Sequence, residues 1–429
     1  MKTKIAVLLG CISLLGLSAC NTTMKQESAL KFGAPTEGMS TEEYQSLVFL
    51  DPQNTTRMDW QAVAGMDGNF MIDNQGEPTV SVVDYHQGET IKKIEMGEAG
   101  NHHLWLIPGL RYAYSSQRYE SDTFYVIDLL TQDLVKTFPL STEGKKIIAP
   151  LHVGFAYTQP LAVVGNILDK ENGYLTLIST ATHSVVDTIT LSCQGARDAM
   201  FTLDDSKIFT TCQQGSRGVS IVDVEQRKEI NMVPIPGGRA GAMTPDGKYF
   251  LAAGKGVVVF FDTATGDQVK SIEVPGGGGN FTCVSDASKC YAGLRKANSV
   301  AVIDMAKLEL VKVIETGPDA NRLYINPANS RYGLFTNEAG KSDVITVLDL
   351  QEDVAIKNIN TGLGPHNAAF DPTGKFAVVS TKKEDVATLV DTSSEDPENW
   401  DVITTDLDAG IQNNGVRWVP SPAALAEVM

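Results

Sequence analysis

Along most of the chain a short, β-branched apolar run ends in Asp, a polar turn follows, and a second run alternates apolar with charged residues. The phrase reads VSVVD (80–84), FYVID (124–128), LTLIS (175–179, Ser replacing Asp), VSIVD (219–223), VVFFD (258–262), VAVID (300–304), ITVLD (345–349) and ATLVD (387–391). Near-continuous apolar runs predict strands buried on both faces, and alternating runs predict strands with one wet face. Hairpin turns such as TPDGK (244–248), NPANS (326–330) and DPTGK (371–375) precede the runs. Pro presets φ there, and Gly or Asn supplies the left-handed residue. Successive phrases end 39 to 51 residues apart, close to the period of one four-stranded propeller blade. The pattern therefore predicts an all-β fold, a β-propeller.

Eight copies of the third strand favour eight four-stranded blades, with seven as the alternative. The chain ends on GVRWVPSP (415–422), an inner-strand phrase with nothing after it to pair with. A ring avoids open edges by building one blade from both termini. The C-terminal strand is thus expected to join strands from residues 70–96. The competing choice for that inner strand is DWQAVA (59–64). The propeller is expected to span 56–423, leaving 424–429 as a tail.

These repeats resemble the YVTN family of β-propellers, most clearly in NSVAVIDMAKLELVKVIETGPDANRLYINPANSRYGLF (298–335) and GVVVFFDTATGDQVKSIEV (256–274). The resemblance covers nearly all of 79–420 and implies the fold. Because that family includes binding proteins, quinoprotein and amine dehydrogenase subunits and hydrolase-like members, it implies little about function.

The first residues carry Lys2 and Lys4, then the apolar stretch IAVLLGCISLLGL (5–17), too short for a spanning helix. Leu17-Ser18-Ala19-Cys20 resembles the lipobox of bacterial lipoproteins. This implies a leader over 1–19, lipidation of Cys20 and a membrane anchor. Asn21 in place of Asp favours the outer membrane, facing the periplasm. Residues 20–55 read as a polar tether, with one short helix in 40–50 because Ser40 and Glu43 fit a capping box. A formal charge of −17 argues against nucleic-acid partners, which need an excess of Lys and Arg. In an oxidising compartment the remaining cysteines are expected to pair locally, Cys193 with Cys212 and Cys283 with Cys290.

The candidate chemistry lies where each inner strand begins, since the loops entering those strands open at one channel mouth. Aligned on the following turn, the repeats place His102, His152, Asp198, Arg239, Gly279, Asn321, His366 and Asn414 at one level. His103, Asn280, Arg322 and Asn367 stand one position later, and Arg197 is adjacent. Four of the six histidines thus fall on one ring. In an extended strand His102 and His103 point opposite ways, so only one is expected to face the channel. These groups are expected on an exposed polar rim. The ligand set taken from this ring is His102, His152, Arg197, Asp198, Arg239, Asn280, Asn321, Arg322, His366, Asn367 and Asn414. Imidazole suits transition metals and haem iron, and Arg suits carboxylates, so a divalent metal or haem is a possible cofactor without any motif assuring one. No GxSxG, HExxH, CxxCH or Walker sequence occurs. The reading is a lipid-anchored propeller binding a small molecule or protein at this mouth. A haem- or quinone-related periplasmic role is the alternative, ahead of a lactonase-like hydrolase.

Overall fold

The computed structural model describes residues 30–50, 58–119, 121–338, 340 and 342–429. Cys20 and the leader lie outside them. The chain forms eight antiparallel four-stranded sheets, the blades of a propeller. Blade 1 pairs the C-terminal strand Asn413–Pro420 with Gly68–Asn74, followed by Thr79–Asp84 and Glu89–Glu95. Phe70 stands opposite Trp418 and Ile72 opposite Val416 in that closure. Blades 2 to 8 follow in chain order, their inner strands beginning at Asn101, Pro150, Gln194, Gly241, Phe281, Ala320 and Pro365. Residues 59–64 instead contain the short helix Trp60–Val63. The C-terminal residues form a helix, Pro422–Val428, capped by Ser421 and anchored by buried Leu425.

Burial explains the repeated phrase. Inner strands such as Asn101–Leu106 are buried throughout, whereas outer strands such as Glu89–Glu95 alternate, because only the outermost strand of a blade meets solvent. The Asp that ends each phrase closes the next hairpin. Asp84 Oδ1 accepts from the backbone N–H of His86 and Gln87 at 2.9 and 3.1 Å. Asp262, Asp304 and Asp349 repeat this pair of bonds. A short carboxylate holding two turn amides is the Asx-turn chemistry that favours Asp at this point. In blade 3 the Ser179 hydroxyl performs part of the role, accepting from Thr182 N at 3.2 Å.

The expected disulfides are formed, Cys193–Cys212 and Cys283–Cys290. The tether expectation needs correcting for residues 30–50. The capping-box helix Thr41–Gln45 is present, but Leu47, Val48, Phe49 and Leu50 after it are buried. Gly109 N donates to Val48 O at 2.7 Å, and Gly33 N donates to Gly109 O at 2.8 Å. The Phe49 ring meets Phe155 and Tyr157 edge-on at 6.1 and 6.2 Å. Apolar surface in this segment docks it on the propeller, which a polar average over 20–55 concealed.

Candidate functional site at the channel mouth

The inner strands do not begin as regular strands. In blade 2 the pairing register shifts between Asn101 and Leu104, in blade 3 between Pro150 and Val153, in blade 4 between Ala196 and Ala199, and in blade 8 between Pro365 and Ala368. Such bulges leave residues unpaired and re-aim their side chains. His102-His103, His152, Arg197-Asp198 and His366-Asn367 all sit in these bulges. This overturns the expectation that His102 and His103 diverge. Both line the same cavity, with ring centroids 4.2 Å apart. In blades 5 and 6 the strands are shorter, and the Gly-rich loops ahead of them present Arg239 and Asn280.

The cavity measures about 140 Å³. Of the residues singled out from sequence, His102, His152, Arg197, Arg239, Asn280, Asn321, Arg322, His366 and Asn367 line it; Asp198 and Asn414 stand directly behind. The rim is not exposed: all four histidines of the ring are largely buried, His102 and His103 at 4 % and His152 at 7 % exposure, and only 12 % of the His366 side chain meets solvent. Much of the ring is also committed to holding blades together. Arg197 donates to Arg239 O and to Asn280 Oδ1 at 3.3 and 3.2 Å. Asn280 Nδ2 donates to Asn321 Oδ1 at 2.7 Å, Asn321 Nδ2 to His366 O at 3.3 Å, and Asn367 Nδ2 to Asn414 O at 3.1 Å. Asn414 Nδ2 lies 2.7 Å from His102 Nδ1. His152 Nδ1 pairs with Asp198, which also accepts from Gly241 N at 2.9 Å.

Four charged lining residues escaped the sequence reading: Arg118, Arg295, Glu338 and Lys382. Each follows directly on the second strand of its blade. That strand runs antiparallel to the inner one, so its end stands beside the inner strand's start. Reading the same repeat offset on second strands finds all four.

The mouth is polarised. Imidazoles occupy blades 8, 2 and 3, and Arg197, Arg239, Arg295 and Arg322 come from blades 4 to 7. Glu338 contacts Arg295 Nη1 at 2.7 Å, His366 Nδ1 at 3.0 Å and Lys382 Nζ at 3.3 Å, and Arg295 also pairs with Asp319. Among the described residues no carboxylate lies within 4 Å of Arg118, Arg239 or Arg322 in an ion pair. Burial, with Arg197 and Arg295 nearby, pushes the Arg239 guanidinium down to about 10. Burial also lowers all four imidazoles of the ring, with cations at Arg118 and Lys382 acting the same way on His102. His366 falls to about 4. These rings are therefore neutral near pH 7, with a lone pair each. Burial alone would raise Asp198 and Glu338, but Arg197 and His152 outweigh it at the first, and His366, Lys382 and Arg295 at the second, holding both carboxyls low.

A larger cavity of about 700 Å³ opens at the other end of the inner strands, between Trp60, Tyr324, Phe370 and Trp418. The concentration of imidazole and guanidinium lies at the smaller one.

No family model matches this chain, and no curated protein matches it in sequence. Among solved structures it is similar to dihydro-heme d1 dehydrogenase NirN in complex with DHE, with TM-score 0.64 and 16 % identity over 93 % of this chain and 78 % of that one. It is similar to AztD of Citrobacter koseri, with TM-score 0.60 and 10 % identity over 83 % and 99 % of the two chains. Hydrazine synthase of Kuenenia stuttgartiensis follows with TM-score 0.52 and 16 % identity over 86 % and 99 %. At such identities the likeness shows a shared fold: this chain is an eight-bladed β-propeller of the kind found in bacterial proteins.

Proposed function

We propose that this protein is an envelope-anchored binding propeller that takes a small anionic ligand into the mouth where its inner strands begin. The observation that carries the reading is a charge inversion. A chain of net charge −17 gathers Arg118, Arg197, Arg239, Arg295, Arg322 and Lys382 around one cavity whose lining carboxylate is Glu338. Guanidinium groups crowded in a partly dry site repel one another, and an anion held by paired N–H donors relieves that repulsion. Anchorage through Cys20 at the outer membrane belongs to this proposal and rests on the lipobox resemblance.

A carboxylate-bearing tetrapyrrole is the second reading, favoured by the same imidazole–guanidinium pairing and by the ligand named for the NirN structure. It fits less well. About 140 Å³ lies below the roughly 300–1,000 Å³ of pockets that enclose drug-sized ligands, so a macrocycle would have to lie across the mouth.

Thermal-shift titrations with phosphate, sulfate and small di- and tricarboxylates, at ionic strength matched with chloride, test the first reading. One class of anion should stabilise the wild type, and Arg239→Gln with Arg322→Gln should remove the effect. Equal stability in every salt would sink it. A Soret shift on adding haem would favour the second reading instead.

A further inference from the structure

We propose that His102, His103 and His152 form a three-imidazole site for one divalent transition-metal ion, zinc being the best match. The site deepens the proposed function, because the ion's open position faces the cavity where an anion would enter.

Three features converge. One ring nitrogen of each histidine lies within 4.8 Å of the other two, and all three residues are buried. A tetrahedral ion with nitrogen ligands at ~2.0–2.1 Å needs those atoms somewhat closer, a difference that small side-chain rotations cover. One of the rings is already held from behind: Asp198 grips His152 through Nδ1. A carboxylate accepting from one imidazole N–H orients the ring and leaves the other nitrogen for metal, the usual second-shell arrangement. At His102 the Asn414 amide nitrogen stands 2.7 Å from Nδ1, so that amide must turn its oxygen to the ring for His102 to offer Nε2. Finally, His103 Nδ1 is buried without a hydrogen-bond partner among the described residues, a costly state for a polar atom that a metal bond or its rotation towards one would relieve.

The ligand types decide the class of ion. Three neutral imidazoles suit zinc and its late-transition neighbours and do not suit calcium or magnesium, which require oxygen. Arg118, Arg322 and Lys382 nearby oppose a dication. Asp198 offsets part of that repulsion, and an anionic fourth ligand held by the arginines would offset more. Three protein ligands with one open position is the pattern of zinc sites that bind an exchangeable ligand.

The test uses the folded full chain after chelator dialysis. Zinc should bind with one ion per chain by calorimetry, and cobalt should develop the visible absorption of a tetrahedral nitrogen site. His103→Ala should lower affinity at least 100-fold, and Asp198→Asn roughly 10–100-fold, while His183→Ala, on blade 3 against Tyr114, should leave it unchanged. X-ray absorption of the cobalt-loaded wild type reads nitrogen coordination directly and does not depend on any variant folding. Absence of stoichiometric binding to the wild type, or binding indifferent to both His103→Ala and Asp198→Asn, overturns the inference. Anion binding that survives chelation in a protein that takes up no metal defeats this site but not the anion reading. Metal uptake without any anion response defeats only the latter.

Discussion

Phe49→Ala asks whether residues 30–50 belong to the folded unit. Phe49 is 2 % exposed and lies edge-on to Phe155 and Tyr157. Emptying such a buried aromatic site costs about 3–5 kcal/mol, of which the two ring pairs account for roughly 0.5–1.5 kcal/mol each. The segment has a way to avoid the full loss, because it can leave the surface while the blades stay closed. The measured destabilisation is then capped by the docking free energy, and residues 30–50 become protease-sensitive under conditions where the propeller is intact. Gly109→Ala provides an independent perturbation. Gly109 has φ +90°, and an added Cβ would meet Gly33 O at 2.0 Å, so this variant should expel the same segment without touching the aromatic cluster. Denaturant unfolding followed by intrinsic fluorescence, with limited proteolysis of the native protein, reads both effects. A loss below about 0.5 kcal/mol in both variants, with an unchanged cleavage pattern, would show that the segment is a free tether after all.

Asp73, on the second strand of blade 1, is pushed up to about 7 by burial. The fold therefore holds a proton that the unfolded chain releases above about pH 4, and stability falls as pH rises from there to about 7, by roughly 4 kcal/mol in total. Asp73→Asn should remove that slope and be more stable than wild type at pH 8; destabilisation there would mean that Arg417 outweighs burial and holds the Asp73 carboxyl low. Replacing Cys283 with Ser should cost about 2.5 kcal/mol and replacing Cys193 about 3.3 kcal/mol, from the loop lengths closed, and alkylation of the denatured, unreduced protein should find none of these four thiols free. Gly415→Ala places a Cβ 2.9 Å from Asp73 Oδ2 and 3.0 Å from His103 Nδ1, so it should weaken zinc binding while a distant loop glycine such as Gly144, which has open space, should not when changed to Asn. Cys20→Ala should move the protein from the membrane to the soluble fraction on cell fractionation; continued membrane association would refute the lipid anchor.

The blade repeat was legible because it is local chemistry written many times. Each β-branched run is buried on two faces, each Asp holds its own turn, and neither needs a distant partner to be recognised. Ring closure was legible for a related reason: an inner-strand phrase with no successor at 415–422 demands the early strand at 68–74. The level of the ring, and the local disulfides, follow from the same register.

What lay beyond the sequence are the properties that arise between blades. The bulges that turn His102 and His103 into one cavity are set by how each inner strand pairs near the channel, and strict alternation along a strand predicts the opposite. Arg118, Arg295, Glu338 and Lys382 enter the mouth from second strands, whose ends meet it only once eight blades are arranged about one axis. Burial decided the remainder. It turned an expected polar rim into a hydrogen-bonded belt of Asn280, Asn321, Asn367 and Asn414, and it keeps four imidazoles neutral beside Arg118, Arg239 and Arg322, which have no carboxylate partner among the described residues. The sequence by itself determined the repeat, the blade number and the level at which chemistry gathers, because these depend on periodicity. Only the tertiary structure decided which side chains share a cavity and in what charge state, because those depend on pairing register and desolvation.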